Sequence, residues 1–198
     1  MGGVIVDVHY DRSIQYFQAI GVNDADQHIG ACHHKGLYFA FENGDIDTAE
    51  FCRLLCDHAG KSIQRERIEE AWRSMIDPPQ AYKLDYLQEL RKKYRLFLLT
   101  NNNPVIMDWA CTLGFASPGK ALNDYFDKIY MSYQMKCMKP HPVIYQMMIE
   151  DAGINPAESL FIDDSELNIQ GAESCGLSVL HVKNGTDWRE EANLMING

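Results

Sequence analysis

The sequence predicts an α/β protein, a parallel sheet with helices around it and a small all-helical insert near the N-terminus. Three observations predict it. Past Tyr94, short apolar runs alternate with stretches of helical period, the pattern of strands joined by helical crossovers. Before Tyr94, about eighty residues read as helices with no convincing strand. And Leu160-Phe161-Ile162 passes directly into Asp163-Asp164 and then into helix composition. That is how a buried parallel strand delivers side chains to the carboxyl edge of an open sheet.

In chain order, Val4-Ile5-Val6-Asp7-Val8 reads as a short apolar strand or flap after Gly2-Gly3. Residues 11–94 form the helical block. Its faces are Ile14, Phe17 and Ile20; Phe51, Leu54, Leu55 and His58; Ile68, Ala71, Trp72, Met75 and Ile76; and Leu84, Leu87, Leu90 and Tyr94. Asp47 with Glu50 three residues on is a capping-type start for the second of them. Leu96-Phe97-Leu98-Leu99 is then a strand ending in Thr100, followed by a helix with Val105, Ile106, Trp109, Ala110 and Leu113 on one face. Lys128-Ile129-Tyr130 is a short strand, Val143, Ile144, Met147 and Met148 a helix face, and Val179-Leu180-His181-Val182 a last strand. The tail from Thr186, with Trp188, reads as a final helix on the core. The predicted division is a Rossmann-like core of residues 1–9 and 95–198 and a helical cap of residues 10–94.

A chain of 198 residues accommodates one sizeable core plus an inserted subdomain. The net charge of -10, with Lys and Arg scattered, argues against nucleic acid and anionic membranes as partners. No apolar run approaches the roughly 18 residues a membrane span needs, and the opening has no signal-peptide pattern, so a soluble cytoplasmic protein is expected. Cys32, Cys52, Cys56, Cys111, Cys137 and Cys175 show no C-x-x-C pair, which fits reduced thiols. Cys32-His33-His34 and Cys52-x-x-x-Cys56-x-His58 contain metal-capable types, but buried thiols and hydrogen-bonded histidines are the commoner use. Oligomeric state is not legible.

Three stretches fall at carboxyl edges of the expected strands or beside them. Thr100 offers a hydroxyl before a helix, suited to a phosphate oxygen, though a lone Thr at a strand end is more often a turn or cap residue. Lys139 lies in Met138-Lys139-Pro140-His141-Pro142, before a helix start made rigid by two prolines, where a lysine is usually solvated. Asp163 and Asp164 form an oxygen-only pair suited to Mg²⁺, though either Asp164 or Ser165 could simply cap the next helix.

Taken in order, the hydroxyl after an apolar strand, Lys-Pro before a helix, and Asp-Asp after a strand with Asn168 four further on resemble the haloacid dehalogenase (HAD) superfamily. The resemblance covers nearly the whole chain. Within it, the branch of sugar-phosphate and related phosphatases with a small C1-type cap is most similar, and its Glu-x-Gly-x-Ile stretch is matched by Glu42-Asn43-Gly44-Asp45-Ile46. The resemblance implies a Mg²⁺-dependent phosphatase of a small phosphorylated metabolite. Thr100 corresponds to its phosphate-binding hydroxyl, and Asn101 to the residue whose amide and side chain assist that hydroxyl. Lys139 corresponds to the lysine that offsets negative charge on nucleophile and phosphate, Asp164 with Asp163 to the Mg²⁺ ligands, and Asn168 to the residue that orients that site.

The first motif of the family departs here. There an Asp at the end of the first strand attacks phosphorus to form an aspartyl phosphate. Aligning Gly2-Gly3-Val4 with the family's Gly-Gly-Val places that Asp just before Met1, and the position of a second, acid–base Asp is Gly2. Asp7 could substitute, with His9 two residues on as proton carrier; otherwise it belongs to the flap. Because the first strand lies mid-sheet in this fold, either residues 4–8 slide into its place or the natural protein starts earlier, in a Phe-Asp-Met-Gly-Gly-Val run. The rival readings are a non-catalytic protein that keeps the phosphate and metal site, and dehalogenation of a 2-haloacid, which needs no metal and which the Asp163-Asp164 pair counts against. Tyr38, Phe39, Phe41 and Trp72 are the aromatic cap residues that could line the site or pack inside the helical bundle.

Overall fold

The computed structural model describes residues 1–30, 35–116 and 119–198. The expected helices, and the expected strands after Tyr94, are present with small shifts of boundary. The helical part consists of α1 (Tyr10–Ala19), a 3-10 turn (Ala25–Gln27), α2 (Leu37–Glu42), α3 (Thr48–Ala59), α4 (Arg65–Arg73) and α5 (Ala81–Arg91). Asp47 caps α3 by accepting from the Glu50 N–H at 2.8 Å, and Gly60 ends it in the left-handed conformation, as capping chemistry requires. The short α2, which the periodicity does not single out, is held by its aromatic face. Tyr38 and Phe41 are buried with Phe17, Phe51 and Trp72, ring centroids 4.4 to 6.1 Å apart, so burial rather than propensity fixes it.

The α/β part runs β1 (Phe97–Thr100), α6 (Pro104–Ala110), β2 (Lys128–Met131), α7 (Ser132–Met135), α8 (Pro142–Ala152), β3 (Leu160–Asp163), α9 (Glu166–Glu173), β4 (Ser178–His181) and α10 (Arg189–Asn197). Successive residues of β1 point to opposite faces: Leu98 belongs to the core shared with the helical part, Leu99 to a second cluster with Tyr130, Ile144, Tyr145, Met148 and Ala172. The strands are parallel and in register, Thr100 beside Met131 and Asp163 beside His181.

The sheet expected to be continuous is two separate pairs, β1 with β2 and β3 with β4. Between β1 and β3 lies a cavity of about 730 Å³, walled by Leu96–Leu99 on one side and Leu160–Asp163 on the other, with Met1 and Trp188 also lining it. Among the described residues no strand occupies it. Residues 4–8 do not slide in. They wind back on themselves, with the Ile5 N–H donating to the Met1 carbonyl at 2.9 Å and the Gly3 N–H to that of Val6 at 2.8 Å. The apolar residues that suggested a strand, Ile5 and Val6, are buried in this turn instead.

The two parts are sewn together at several points. α5 reaches across to the C-terminal segment, where the Tyr86 hydroxyl donates to Asn193 at 2.8 Å and its ring meets Trp188. The Trp188 indole N–H donates to the Val4 carbonyl at 2.8 Å. Near the end of β2, Gly44 (φ +77°) lies so close to the Tyr133 carbonyl that a Cβ would overlap it, and Lys136 donates to the Gly44 carbonyl. No helix among the described residues is long and apolar enough to cross a membrane.

Candidate active site

Lys139 stands between the two strand pairs. Its ammonium donates to the Leu99 carbonyl at the end of β1 (3.1 Å) and to Asp163 Oδ2 at the end of β3 (2.6 Å), and the side chain is 5 % exposed. An ammonium has three protons, so one remains for a further acceptor. The backbone of Lys139 is fixed by Asn101, whose Oδ1 accepts from the Lys139 N–H (2.9 Å) and whose Nδ2 donates to its carbonyl (2.8 Å). The Asn101 side chain is therefore committed to Lys139, and it acts on the site by positioning that residue. Thr100, the last residue of β1, is 2 % exposed, and its hydroxyl makes only a long 3.4 Å contact with the Asn101 carbonyl.

The two aspartates differ. Asp163 accepts from Lys139, from the Ser165 N–H (3.0 Å) and from Asn168 Nδ2 (2.8 Å). Burial alone would raise its pKa, but the Lys139 charge and these hydrogen bonds outweigh it and hold the carboxyl below the usual range. Asp164 is raised, by burial and by the negative charge of Asp163, and makes no ion pair among the described residues. Its carboxylate rests against Gly3 (φ +78°), where a Cβ would overlap it. Only glycine fits that turn, on both counts. The Met1 amino group is buried beside the same residues, and burial first, then Lys139, pushes it down to about 5. The arrangement sets a hydroxyl, a cation with a spare proton and a carboxylate with no ion pair among the described residues around the end of the β1–β3 gap. A tetrahedral oxyanion and a hard divalent cation suit those groups.

Asp7 is not brought to this site. Its carboxylate accepts from Gln80 Nε2 (2.9 Å) and pairs with the wholly buried Lys83 (3.5 Å). His9 is turned to Asp77 (2.8 Å). Of the four aromatic cap residues, Tyr38, Phe41 and Trp72 are bundle core, while Phe39 lines a second cavity of about 780 Å³ that includes Asn43, Lys139, His141 and Met147. Cys32, His33 and His34 lie outside the described residues.

Ser132, which the sequence reading missed, joins the parts. It is wholly buried, accepts from the Asn102 N–H (3.0 Å) and lies 2.6 Å from the Glu42 carbonyl. The signal that could have found it is its place directly after a strand, the same as that of Asn101. Glu42 itself, at the end of α2, has its carboxyl pushed up to about 7 by burial, against an opposing contact from Asn103. A raised value means the folded state holds the proton where the unfolded chain releases it. The Glu42 contribution is therefore full below about pH 4 and falls as pH rises towards 7, by about 1 to 3 kcal/mol. Denaturant melts at pH 5 and pH 7.5 should show the stability of the wild type relative to Glu42→Gln falling by this amount as pH rises.

A model of the haloacid dehalogenase-like hydrolase family matches residues 2–176. The chain is 40% identical over 196 residues to D-ribitol-5-phosphate phosphatase of Bacteroides thetaiotaomicron, covering 99% of this chain and 95% of the relative. Among solved structures, an HAD-like family hydrolase from Porphyromonas gingivalis superposes with a TM-score of 0.94 at 34% identity, over 98% of this chain and 93% of that one. An HAD family enzyme from Bacteroides thetaiotaomicron, in complex with magnesium and inorganic phosphate, does so at 0.88 and 37% identity, over 96% and 95%.

Proposed function

The chain belongs to the haloacid dehalogenase-like hydrolase family, and from that membership we propose that its site is that of a Mg²⁺-dependent phosphatase of small phosphorylated polyols or sugars. The observation that carries the reading is Lys139, tied to both strand ends with a proton to spare, between Thr100 and Asp164. In this reading the Thr100 hydroxyl and the Lys139 ammonium bind the phosphoryl oxygens, and Asn101 and Asn168 hold Lys139 and Asp163 in place. Asp164 would hold magnesium, with the remaining lone pair of Asp163 beside it. Such an ion, when bound, offsets charge on the transferring phosphoryl group. The donor set fits, since a carboxylate with no ion pair at a strand end is a hard oxygen ligand.

The attacking carboxylate is proposed to arrive through the β1–β3 cavity. Neighbouring strands lie about 4.8 Å apart, so one extended segment between β1 and β3 would complete a single sheet. Its last residue, bonded to the Met1 nitrogen, would lie beside Lys139, Asp163 and Asp164. We assign that residue as the nucleophile, and residues 10–94 as a cap that closes over the leaving group and excludes water. A polyol phosphate is favoured by the relation to D-ribitol-5-phosphate phosphatase.

The test is phosphate release from D-ribitol 5-phosphate, other pentitol and sugar phosphates, and p-nitrophenyl phosphate, with Mg²⁺ and with EDTA. Mg²⁺-dependent release led by the polyol phosphates is expected from the chain carrying the preceding strand. Phosphate binding without release from that longer chain would overturn this reading. A smaller effect is expected at Gly3. In Gly3→Ala the new methyl displaces Asp164, so Mg²⁺ affinity should fall about tenfold or more, as read by titration calorimetry, with Thr100 and Lys139 left in place.

A further inference from the structure

We propose that Asp24, His28 and His58 form a second cation site, remote in sequence from the first and built entirely within the helical cap, for a divalent ion of the zinc class. Asp24 begins the 3-10 turn at Ala25–Gln27, His28 follows that turn, and His58 lies in the last turn of α3. His28 Nε2 is 3.1 Å from Asp24 Oδ2, His58 Nε2 is 2.9 Å from both Asp24 oxygens, and all three ligand atoms lie within 4.8 Å of one another. Ligands on a tetrahedral zinc ion, with bonds of about 2.0 Å, stand about 3.3 Å apart. Small side-chain rotations therefore bring this trio onto one ion.

The donor chemistry selects the ion. Two imidazoles with one carboxylate suit zinc and its transition-metal neighbours, whereas magnesium takes oxygen ligands. The side chains are about one-third to one-half exposed, at 32, 33 and 46 % for His28, Asp24 and His58, which leaves an open side for entry and for a fourth ligand from water. Each imidazole need only carry its proton on Nδ1 to present Nε2 as a ligand. A second, independent observation lies beneath the trio. The Tyr38 ring stacks on His28 at 5.6 Å and 10°, and its hydroxyl is buried without a hydrogen-bond partner among the described residues. It lies near enough to Asp24 to feel its charge. The stacked ring holds the His28 imidazole in its orientation towards Asp24, a support that metal-binding imidazoles need. A bound ion would fasten the 3-10 turn to the end of α3.

The test uses metal-stripped full chain titrated with Zn²⁺, and with Co²⁺ for its visible spectrum. One equivalent should bind at this site, give a Co²⁺ spectrum with nitrogen ligands, and raise the melting temperature by several degrees. His28→Ala and His58→Ala should each weaken binding about tenfold or more, while Asp164→Asn leaves this equivalent intact. His58→Gln, at an exposed position, keeps the fold if either alanine variant fails to. Absence of Zn²⁺ binding, equal binding in the histidine variants, or loss of this equivalent in Asp164→Asn would each overturn the proposal. None of these outcomes depends on phosphatase activity.

Discussion

Phosphate release should rise by four to six orders of magnitude when the chain is preceded by an apolar strand ending in Asp, relative to the chain beginning at Met1. The size follows from the chemistry: loss of a covalent nucleophile typically costs about 10⁴ to 10⁶ in rate while binding persists. The direction follows from the cavity between β1 and β3, whose walls are the edges of two parallel strands. The longer chain should also be more stable by several kcal/mol, because it satisfies backbone groups on both edges at about 1 kcal/mol each and fills apolar space. For a domain of this size that is a rise in melting temperature of about 10 °C or more. Replacing the new Asp by Asn separates the two effects, since it should keep the stability and lose the turnover. Equal activity in both forms, abolished by Asp7→Asn, would move the nucleophile to Asp7 against its pairing with Lys83.

Lys139→Met should be the most damaging single change within the described residues. It leaves the Asp163 carboxylate, 4 % exposed, without its cation. Removing one partner of a buried pair costs about 3 to 5 kcal/mol, and losing the charge proposed to face the phosphoryl group costs about 10² to 10³ in rate. The sign with pH is defined by the lowered pKa of Asp163. Its contribution is present above the ordinary Asp value near 4 and is lost as pH falls through the folded-state value. The stability difference between wild type and Lys139→Met should therefore be full at pH 7 and shrink in acid. Adding Asp163→Asn to Lys139→Met should recover much of the stability and none of the rate. Recovery of both would show that Lys139 serves only the fold.

Much of the site was legible because of where the residues fall. Thr100, Asp163 and Asp164 each end or follow an apolar run, and a parallel strand delivers its last residue to the same edge, while Lys139 precedes a helix that starts beside that edge. Their order in the chain was enough to place them together. The helices of residues 10–94 were legible by period, except α2, whose six residues depend on aromatic packing that no local pattern reveals. The stretch at residues 4–8 was legible only as a strand or a flap, because its apolar pattern records burial, and Ile5 and Val6 are buried in a turn. Roles that depend on long-range partners were not legible at all. The place of Ser132 and Asn101 after a strand marks them, but does not show that Ser132 reaches the Glu42 carbonyl or that Asn101 clamps Lys139. The trio in the cap joins positions up to 34 residues apart, which only folding brings within reach.

The most direct test of the whole account is a crystal structure with phosphate and Mn²⁺, a scatterer that substitutes for Mg²⁺ and can be located by its anomalous signal. The account predicts the manganese on Asp164, with phosphate oxygens on the Thr100 hydroxyl and the Lys139 ammonium at the mouth of the β1–β3 cavity. Manganese on other carboxylates, or phosphate bound away from Thr100 and Lys139, would contradict it.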